Sequence, residues 1–447
     1  MANQLKGNEL VQYLIEMSPE QLRDELENIH PADILDALDE YEGDAIALFS
    51  KLPTDKLAEI IEEAEEIDKS DLFYMVDDKR KREIISEMAS DELVDLLEKI
   101  DPAEAKSLLK GMDAEEAKEL AELMSYHPDS AGGIMATEFV AVKEDMTVLD
   151  TLKYLQKAGE EAESLSYLYV LDQKQILKGV VSLRDIVIGS FEDPIRELIN
   201  PKVISVKPDV DQEEVAWIFN KYGFSSLPVV DEDGSMLGII TADDVLDIVV
   251  EESTEDFEKM AALAHNEGEY LETGVFGLAR RRIYWLLFLM VSATFTGFII
   301  QGYEEALAQV VILAAFIPML MDTGGNAGAQ SATLIIRGMA LGEIATQDYM
   351  RVIFKEVRVS MVVGLALAVV NALRIWWMNQ DLLLGITVSI ALFFTIVIAK
   401  TVGCSLPIVA RKLKVDPAIM AAPIITTIVD ALSLLIYFRM AGLFYLS

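Results

Sequence analysis

The stretch IPMLMDTGGNAGAQSATLIIRG, residues 317–338, decides how the rest of the chain is read. It lies in an apolar run long enough to enter a bilayer, yet it carries an Asp, an Asn, a Gln, a Ser/Thr pair and several glycines. Hydrocarbon satisfies none of these polar groups, so such a segment is tolerated only where it lines a cavity or is buried in protein. Gly324, Gly325, Ala327, Gly328 and Ala329 also let helices approach closely. A second interrupted span, DPAIMAAPIITTIVDALSLLIYF at 416–438, puts Asp430 inside an apolar helix, 14 residues beyond Asp416. That separation is about 21 Å along a helix axis. An unpaired carboxylate there costs several kcal/mol and marks a functional site by default. The competing explanation is an ion pair, for which Lys400 is the one basic residue at comparable depth.

Crossing the hydrocarbon core takes about 20 mostly apolar residues. Five stretches qualify: 283–301, 306–334, 352–377, 383–409 and 418–444. Basic residues cluster before the first (Arg280, Arg281, Arg282), between the second and third (Arg337, Arg351, Lys355, Arg358) and between the fourth and fifth (Arg411, Lys412, Lys414). The intervening loops GYEE (302–305) and MNQD (378–381) have no Lys or Arg. This alternation predicts a cytoplasmic N-terminus and a C-terminus outside, in the cell (inner) membrane. Arg374 and Arg439 lie near outer span ends, where they can snorkel. The N-terminal MANQLKGNELVQYLIEMSPE has no secretory pattern. The lone Cys404 allows no intrachain disulfide.

The chain of 447 residues carries a net charge of −38, although 52% of it is hydrophobic. Residues 271–447 hold 13 Lys+Arg and 10 Asp+Glu, a net of +3, which leaves −41 on residues 1–270. An acidic surface of this kind repels phosphates and disfavours nucleic-acid binding.

Residues 1–130 read as short helices whose starts recur with a cap or Pro and an acid in the first turn: SPEQ (18–21), HPAD (30–33), DPAE (101–104) and DAEE (113–116). Leucines at helical spacing follow, as in LVDLLEKI (93–100), so an acidic helical-repeat domain is expected. His30 and His127 each precede a Pro and read as turn or cap residues. Residues 131–195 and 196–250 then repeat one pattern about 59 residues apart: SYLYVLDQKQILKGVVSLRDIV (166–187) and SSLPVVDEDGSMLGIITADDVL (225–246). Each reads strand, acidic turn, strand ending in Gly-x-x-Ser/Thr, then an Asp opening a helix. This resembles a tandem pair of CBS modules. The resemblance implies that Gly179, Ser182 and Asp185, then Gly238, Thr241 and Asp244, hold the ribose and phosphate of an adenine nucleotide such as ATP. The alternative is that Ser182 and Thr241 only cap helices.

Residues 251–275 are expected to form an acidic helix connecting these modules to a pore domain at 276–447. Spacings of three and four align Asp244, Asp247 and Glu251, with Glu255 one turn further on. The usual fate of such a run is a solvated face. Here the helical repeats are acidic too (Glu59, Glu62, Asp91, Asp95), and packing two anionic surfaces together costs energy that divalent cations offset. The acidic half therefore reads as a divalent-ion sensor, compact when loaded and looser when empty.

The strings at 318–344 and 416–438 are similar to the MgtE-type magnesium channel family, and the likeness covers the whole chain. It implies a multi-domain fold: an all-α N-terminal helical-repeat domain, an α/β tandem CBS pair, a connecting helix and a five-span α-helical transmembrane domain. It implies a homodimer in a lipid bilayer, with a pore on the two-fold axis between the second and fifth spans. Asp430 is then the pore carboxylate, Asp416 the cytoplasmic-mouth acid, and Asn326, beside Gly325, the Asn of the glycine string. Regulatory Mg2+ falls to Glu59, Asp91, Asp95, Asp244, Asp247, Glu252, Glu255 and Asp256. One departure is Ala422 before Pro423, where the family often has Asn. Selectivity then leans more on Asp430 and backbone carbonyls.

A pore of this kind should accept a largely hydrated Mg2+, driven inward by the membrane potential. No Gly-x-x-x-x-Gly-Lys-Ser/Thr string signals ATP hydrolysis. Three other readings remain: a transporter of Mn2+, Co2+ or an anion; a membrane enzyme, which three His, one Cys and no paired acid/base set disfavour; and a receptor whose acidic half recruits proteins.

Overall fold

The fold is given by a computed structural model that describes residues 5, 7–41, 43, 45–64, 69–159, 162–264, 270, 273–420 and 422–444. The chain divides into two units, Met1–Val249 and Val250–Ser447.

In the first unit the capping signals do what their chemistry dictates. Ser18 closes a capping box with Gln21, and Asp101 and Asp113 cap their helices through backbone N–H groups. His30 Nδ1 accepts from the Ala32 N–H and His127 Nδ1 from the Asp129 N–H, both at 3.3 Å, so His30 caps a helix and His127 closes a turn. Among the described residues this yields ten short helices, α1 (Asn8–Glu16) to α10 (Ala114–Leu123). Each buries one stripe: α5 (Thr54–Glu62) buries Leu57, Ala58, Ile60 and Ile61, and α8 (Ser90–Lys99) buries Leu93, Val94, Leu96 and Leu97. The same core continues into the second repeat through Val215, Phe219, Leu227 and Ile240.

The two repeats share one pattern of strand pairing. Strand β1 (Phe139–Val142) runs parallel to β2 (Ser164–Leu171), which pairs antiparallel with β3 (Leu177–Ser182). Strand β4 (Ser226–Val230) pairs antiparallel with β5 (Met236–Thr241), and Val206 bridges to Val229 in parallel, as β1 does to β2. Each module borrows backbone from outside itself. Ala136 exchanges two 2.8 Å hydrogen bonds with Ile239, and Asn200 pairs with Val180. The repeat motif's glycines sit under these crossings. A Cβ on Gly179 would lie 2.2 Å from Ile199 Cγ2, and one on Gly238 2.6 Å from the Ala136 carbonyl. The Tyr169 and Ser226 hydroxyls join the two hairpins at 2.8 Å.

Helices α11 (Val148–Ala158), α12 (Leu183–Ile188) and α13 (Gln212–Tyr222) complete the modules. Helix α14 (Ala242–Met260) starts directly on β5 and ends where Ala262 takes a left-handed φ of 55°. Of the expected connecting segment, residues 265–269, 271 and 272 lie outside the described residues.

The second unit holds five helical segments long and apolar enough to cross a membrane: Val275–Gly302, Val311–Ala340, Thr346–Asn379, Leu382–Lys412 and Pro417–Phe444. They contain helices α15 (Val275–Gly302), α17 (Ile317–Ala340), α18 (Tyr349–Asn379), α19 (Leu382–Lys412) and α20 (Ala422–Phe444), with the short α16 (Glu304–Gln309) after the first. The glycine string is the seam that packs α17 against α19 and α20. A Cβ on Gly325 would meet Thr426, and one on Gly324 would meet Thr395, Ser433 and Val429. A Cβ on Gly403 would lie 2.2 Å from the Gly328 carbonyl oxygen. That obstacle is backbone, so Gly403→Val must move a helix, at a cost of roughly 3 kcal/mol or more. Its melting temperature in detergent should fall by several degrees. Gly297→Ala, with nothing within 4 Å of the added Cβ, should not shift it.

Candidate functional site

Acidic side chains converge from three helices and a strand edge in the first unit. Glu62 of α5 accepts from the Ala89 N–H at 2.8 Å, at the start of α8. Asp91, Glu92 and Asp95 project from α8, Glu163 precedes β2, and Asp243 and Asp244 open α14. Lys69, buried in the same region, pairs with Glu92. One ammonium does not balance this cluster. Burial first, then the Asp244 and Glu92 charges, hold the Asp91 carboxyl well above the ordinary carboxylate range. Burial pushes Glu92 to about 7 despite Lys69. It also pushes Glu163 to about 7, with Asp244, Asp243, Glu138 and Glu62 adding to the shift. Glu62, Asp95 and Asp244 are raised as well, each by burial before any charge. The carboxylates thus repel where they meet, and bound cations or protons would relieve the cost. Among the described residues no three His, Cys, Asp or Glu side chains close around one point to hold a metal. A cation that keeps its water needs only one or two direct carboxylates.

Glu59 stands slightly apart from this group, paired with Lys56 at 2.5 Å. Asp247 is exposed on α14 and acts on Asp244 one turn away; Glu252 is half-buried on the same helix. The cluster therefore joins Asp91, Asp95 and Asp244 of the sequence-derived set, and adds Glu92 and Glu163. Spacing could not reveal Glu163, because β2 reaches α14 only through the tertiary fold.

At the nucleotide motifs, Ser182 Oγ donates to Asp185 Oδ2 at 2.6 Å and accepts from the Asp185 N–H at 3.1 Å. Thr241 makes the matching bond to Asp244. Ser182 is thereby a helix cap, whereas Thr241 donates from its hydroxyl and N–H to the Asp244 carboxylate, and Gly179 and Gly238 are accounted for by the strand crossings above them. The first motif nevertheless opens onto a groove of about 650 Å3, lined in part by Ser166, Tyr167, Ser182, Arg184 and Ser225. Arg184, exposed there, is a cation that the motif pattern did not single out.

In the second unit, the last turns of α14 meet the start of the fifth span. Asp416 Oδ1 accepts from the Ala418 N–H at 2.7 Å. Its Oδ2 holds Lys259 Nζ at 2.6 Å, and Lys259 also binds Glu255 at 2.5 Å. Burial, then the Asp416 charge, pushes Asp256 up to about 6. Glu255, Asp256 and Asp416 against Lys259 leave a net −2 at this contact. Lys259 is the one Lys or Arg between residues 243 and 270, a signal the sequence offered.

Deeper in the membrane, Asp322, Asn326 and Gln330 form an unburied polar face on α17. Asn326 Nδ2 donates to Asp322 Oδ1 at 3.2 Å, and Asp322 is the charged neighbour of the half-buried Asp430 on α20. Gly325, one turn after Asp322, packs against Thr426, one turn before Asp430 on α20. The ion pair considered for Lys400 is made elsewhere. Lys400 lies 4.0 Å from Glu356 and donates to Ser331 at 3.2 Å, so it is engaged away from Asp430.

Comparison with known proteins agrees with this architecture. The divalent cation transporter family model matches residues 317–440, the MgtE intracellular N domain 29–129, and the CBS domain 131–190 and 195–251. The magnesium transporter MgtE of Thermus thermophilus is 39% identical over 426 residues, 94% of each chain. That of Bacillus subtilis is 41% identical over 323 residues, 72% of this chain and 71% of that one. A crystal structure of the cytosolic domain of the Mg2+ channel MgtE in complex with ATP aligns at 41% identity and a TM-score of 0.50, covering 53% of this chain and 97% of that one. With a helical N-terminal domain, two CBS modules and five membrane-length helices in this order, the chain belongs to the MgtE magnesium transporter family.

Proposed function

We propose that the protein is a Mg2+ channel of the cell (inner) membrane, a homodimer that admits Mg2+ down its electrochemical gradient and closes when cytoplasmic Mg2+ is high. The observation that carries this reading is the polar face of Asp322, Asn326 and Gln330, unburied on a membrane-length helix beside Asp430. Lipid cannot cover that face, so a second copy across a water-filled axis must. Exposed Leu246, Val250 and Phe257 on α14, and Val187, Ile188 and Phe191 at the first module, are apolar surface for the same partner. The basic loops support a reading with the N-terminal domains in the cytoplasm and the C-terminus outside. Nothing in this assembly calls for enzymatic chemistry.

Two Asp430 carboxylates facing each other match a divalent ion through its water shell, and a monovalent ion gains half the attraction. Asp416 is the cytoplasmic mouth, and α14 is the gate that reaches it. Bound Mg2+ at Glu59, Asp91, Asp95, Asp244, Asp247, Glu252, Glu255 and Asp256 favours the compact, closed form. ATP is assigned to the groove lined by Ser182 and Arg184, with the motif residues Gly179 and Asp185 on the strand and helix that carry Ser182 and with Arg184 toward the phosphates, and to the matching Gly238, Thr241 and Asp244. A bound Mg2+ would offset the local acidity. The domain limits follow the sequence: helical domain 1–130, modules 131–195 and 196–250, connecting segment 251–275, pore 276–447.

Ion-substituted flux in proteoliposomes tests the reading. Mg2+ should pass well ahead of Ca2+, and raising Mg2+ on the cytoplasmic face should suppress the flux. Equal or greater flux of Mn2+ or Co2+ would favour the broader divalent-cation transporter.

A further inference from the structure

A buried charged group lies behind the proposed pore helix. Glu356 of α18 and Lys400 of α19 are 13% and 7% exposed, 4.0 Å apart, and both reach Ser331 of α17. Ser331 Oγ, fully buried, donates to Glu356 Oε2 at 2.7 Å and accepts from Lys400 Nζ at 3.2 Å. Ser331 follows Asp322 by nine residues, which at about 100° per residue puts it on the opposite side of α17, about 180° round. It is about 140° from Asn326 by the same count. The bond that grips Ser331 therefore sets the rotation at which Asp322 and Asn326 are presented.

On this side α17 packs through small residues and through buried Leu320 and Ile335, whose apolar contacts carry no directional bond. Gly324, Gly325 and Gly328 meet α19 and α20 mainly through backbone and methyl contacts, which a sliding or rotating helix can exchange. A hydroxyl held between a carboxylate and an ammonium in an apolar surround is directional. The pair is also neutral in sum, so it fixes the helix without cancelling the pore's negative charge.

We propose that Glu356 and Lys400 are positioning residues for ion recognition, acting through Ser331 to fix the rotation of α17 that faces Asp322 and Asn326 toward the permeating ion. The proposal rests on the pore assignment of α17 and α20. It extends to the ion site the rule that groups orienting ligands matter about 10–100-fold.

Ser331→Ala removes the hydroxyl and leaves both charges, which can close on each other directly. Its preference for Mg2+ over Ca2+ in proteoliposome flux should fall about tenfold, with the protein still monodisperse and melting within a few degrees of the parent. Ser331→Thr, which keeps the hydroxyl, should restore the preference. The double variant Glu356→Gln/Lys400→Gln keeps polar side chains without charges; it should show the same loss. Unchanged ion preference in both Ser331→Ala and the double variant would overturn the proposal and leave the group as packing alone. Asp430→Asn in the same assay keeps the two ideas apart. If it leaves Mg2+ flux intact, the pore reading fails; if it abolishes flux while Ser331→Ala changes nothing, only the positioning role fails.

Discussion

Replacing Asp430 with Ala should lower Mg2+ uptake into liposomes by at least about 100-fold, with the folded protein preserved. The magnitude follows from charge. At an effective dielectric of about 20, a divalent ion roughly 5 Å from a carboxylate gains about 6–7 kcal/mol, and a monovalent ion about half. Desolvation and water reorganisation cancel much of this. Even so, a residual of about 2.7 kcal/mol per site is a factor of about 100. Structure strengthens the expectation in one respect. Lys400, the nearest sequence candidate for neutralising Asp430, is engaged by Glu356 and Ser331. The negative potential at Asp430 is instead deepened by Asp322. Asp430→Asn should retain part of the water contacts, yet lose most Mg2+ uptake together with discrimination against K+. Uptake in the Ala variant equal to that of the parent would remove Asp430 from the pore.

How much of this was legible in the sequence depends on the range of each interaction. The five spans follow from apolar length alone, and the repeat follows from two near-copies of one local pattern. Asp430 stood out because a carboxylate in an apolar helix has few structural explanations. Glu356 did not, because it sits among Arg351, Lys355 and Arg358 and reads as part of a basic loop; only the packing of α18 on α19 buries it. Lys259 and Asp416 are distant in sequence, and no periodicity relates them. The helix end at Met260 was hidden for a different reason. The string KMAALAH has no Gly or Pro and good helix propensity, and the stop comes from Ala262 in a left-handed conformation with the Leu263 N–H bonded to the Glu258 carbonyl. Glycines were read correctly as close-approach residues, yet which partner each meets, such as Gly403 on Gly328, required the fold.

Neutralising Asp247, Glu255 and Asp256 together should leave the channel conducting at cytoplasmic Mg2+ concentrations that close the parent. Each weak site at tenfold above its dissociation constant contributes about 1.4 kcal/mol to the closed form, by mass action. Moving a gate from about 1:99 to 99:1 takes roughly 5.5 kcal/mol, so about four such sites must act together. Removing the ligands of two sites then leaves a gate that Mg2+ biases only partway. Protons should act on the same balance. Glu92 and Glu163 are raised to about 7 and Asp256 to about 6, so the packed form binds more protons than the loose one. Raised carboxylate values mean that packing is favoured at low pH and loses that support as pH rises from about 4.5 towards 7. The parent should therefore close at lower Mg2+ at pH 6 than at pH 8, since protonation relieves the repulsion that Mg2+ otherwise relieves. In the triple variant the Asp256 share of this shift disappears, while that of Glu92 and Glu163 persists. Flux measured against cytoplasmic Mg2+ at the two pH values decides the matter: an inhibition curve in the triple variant identical to that of the parent would take these three carboxylates out of the sensor.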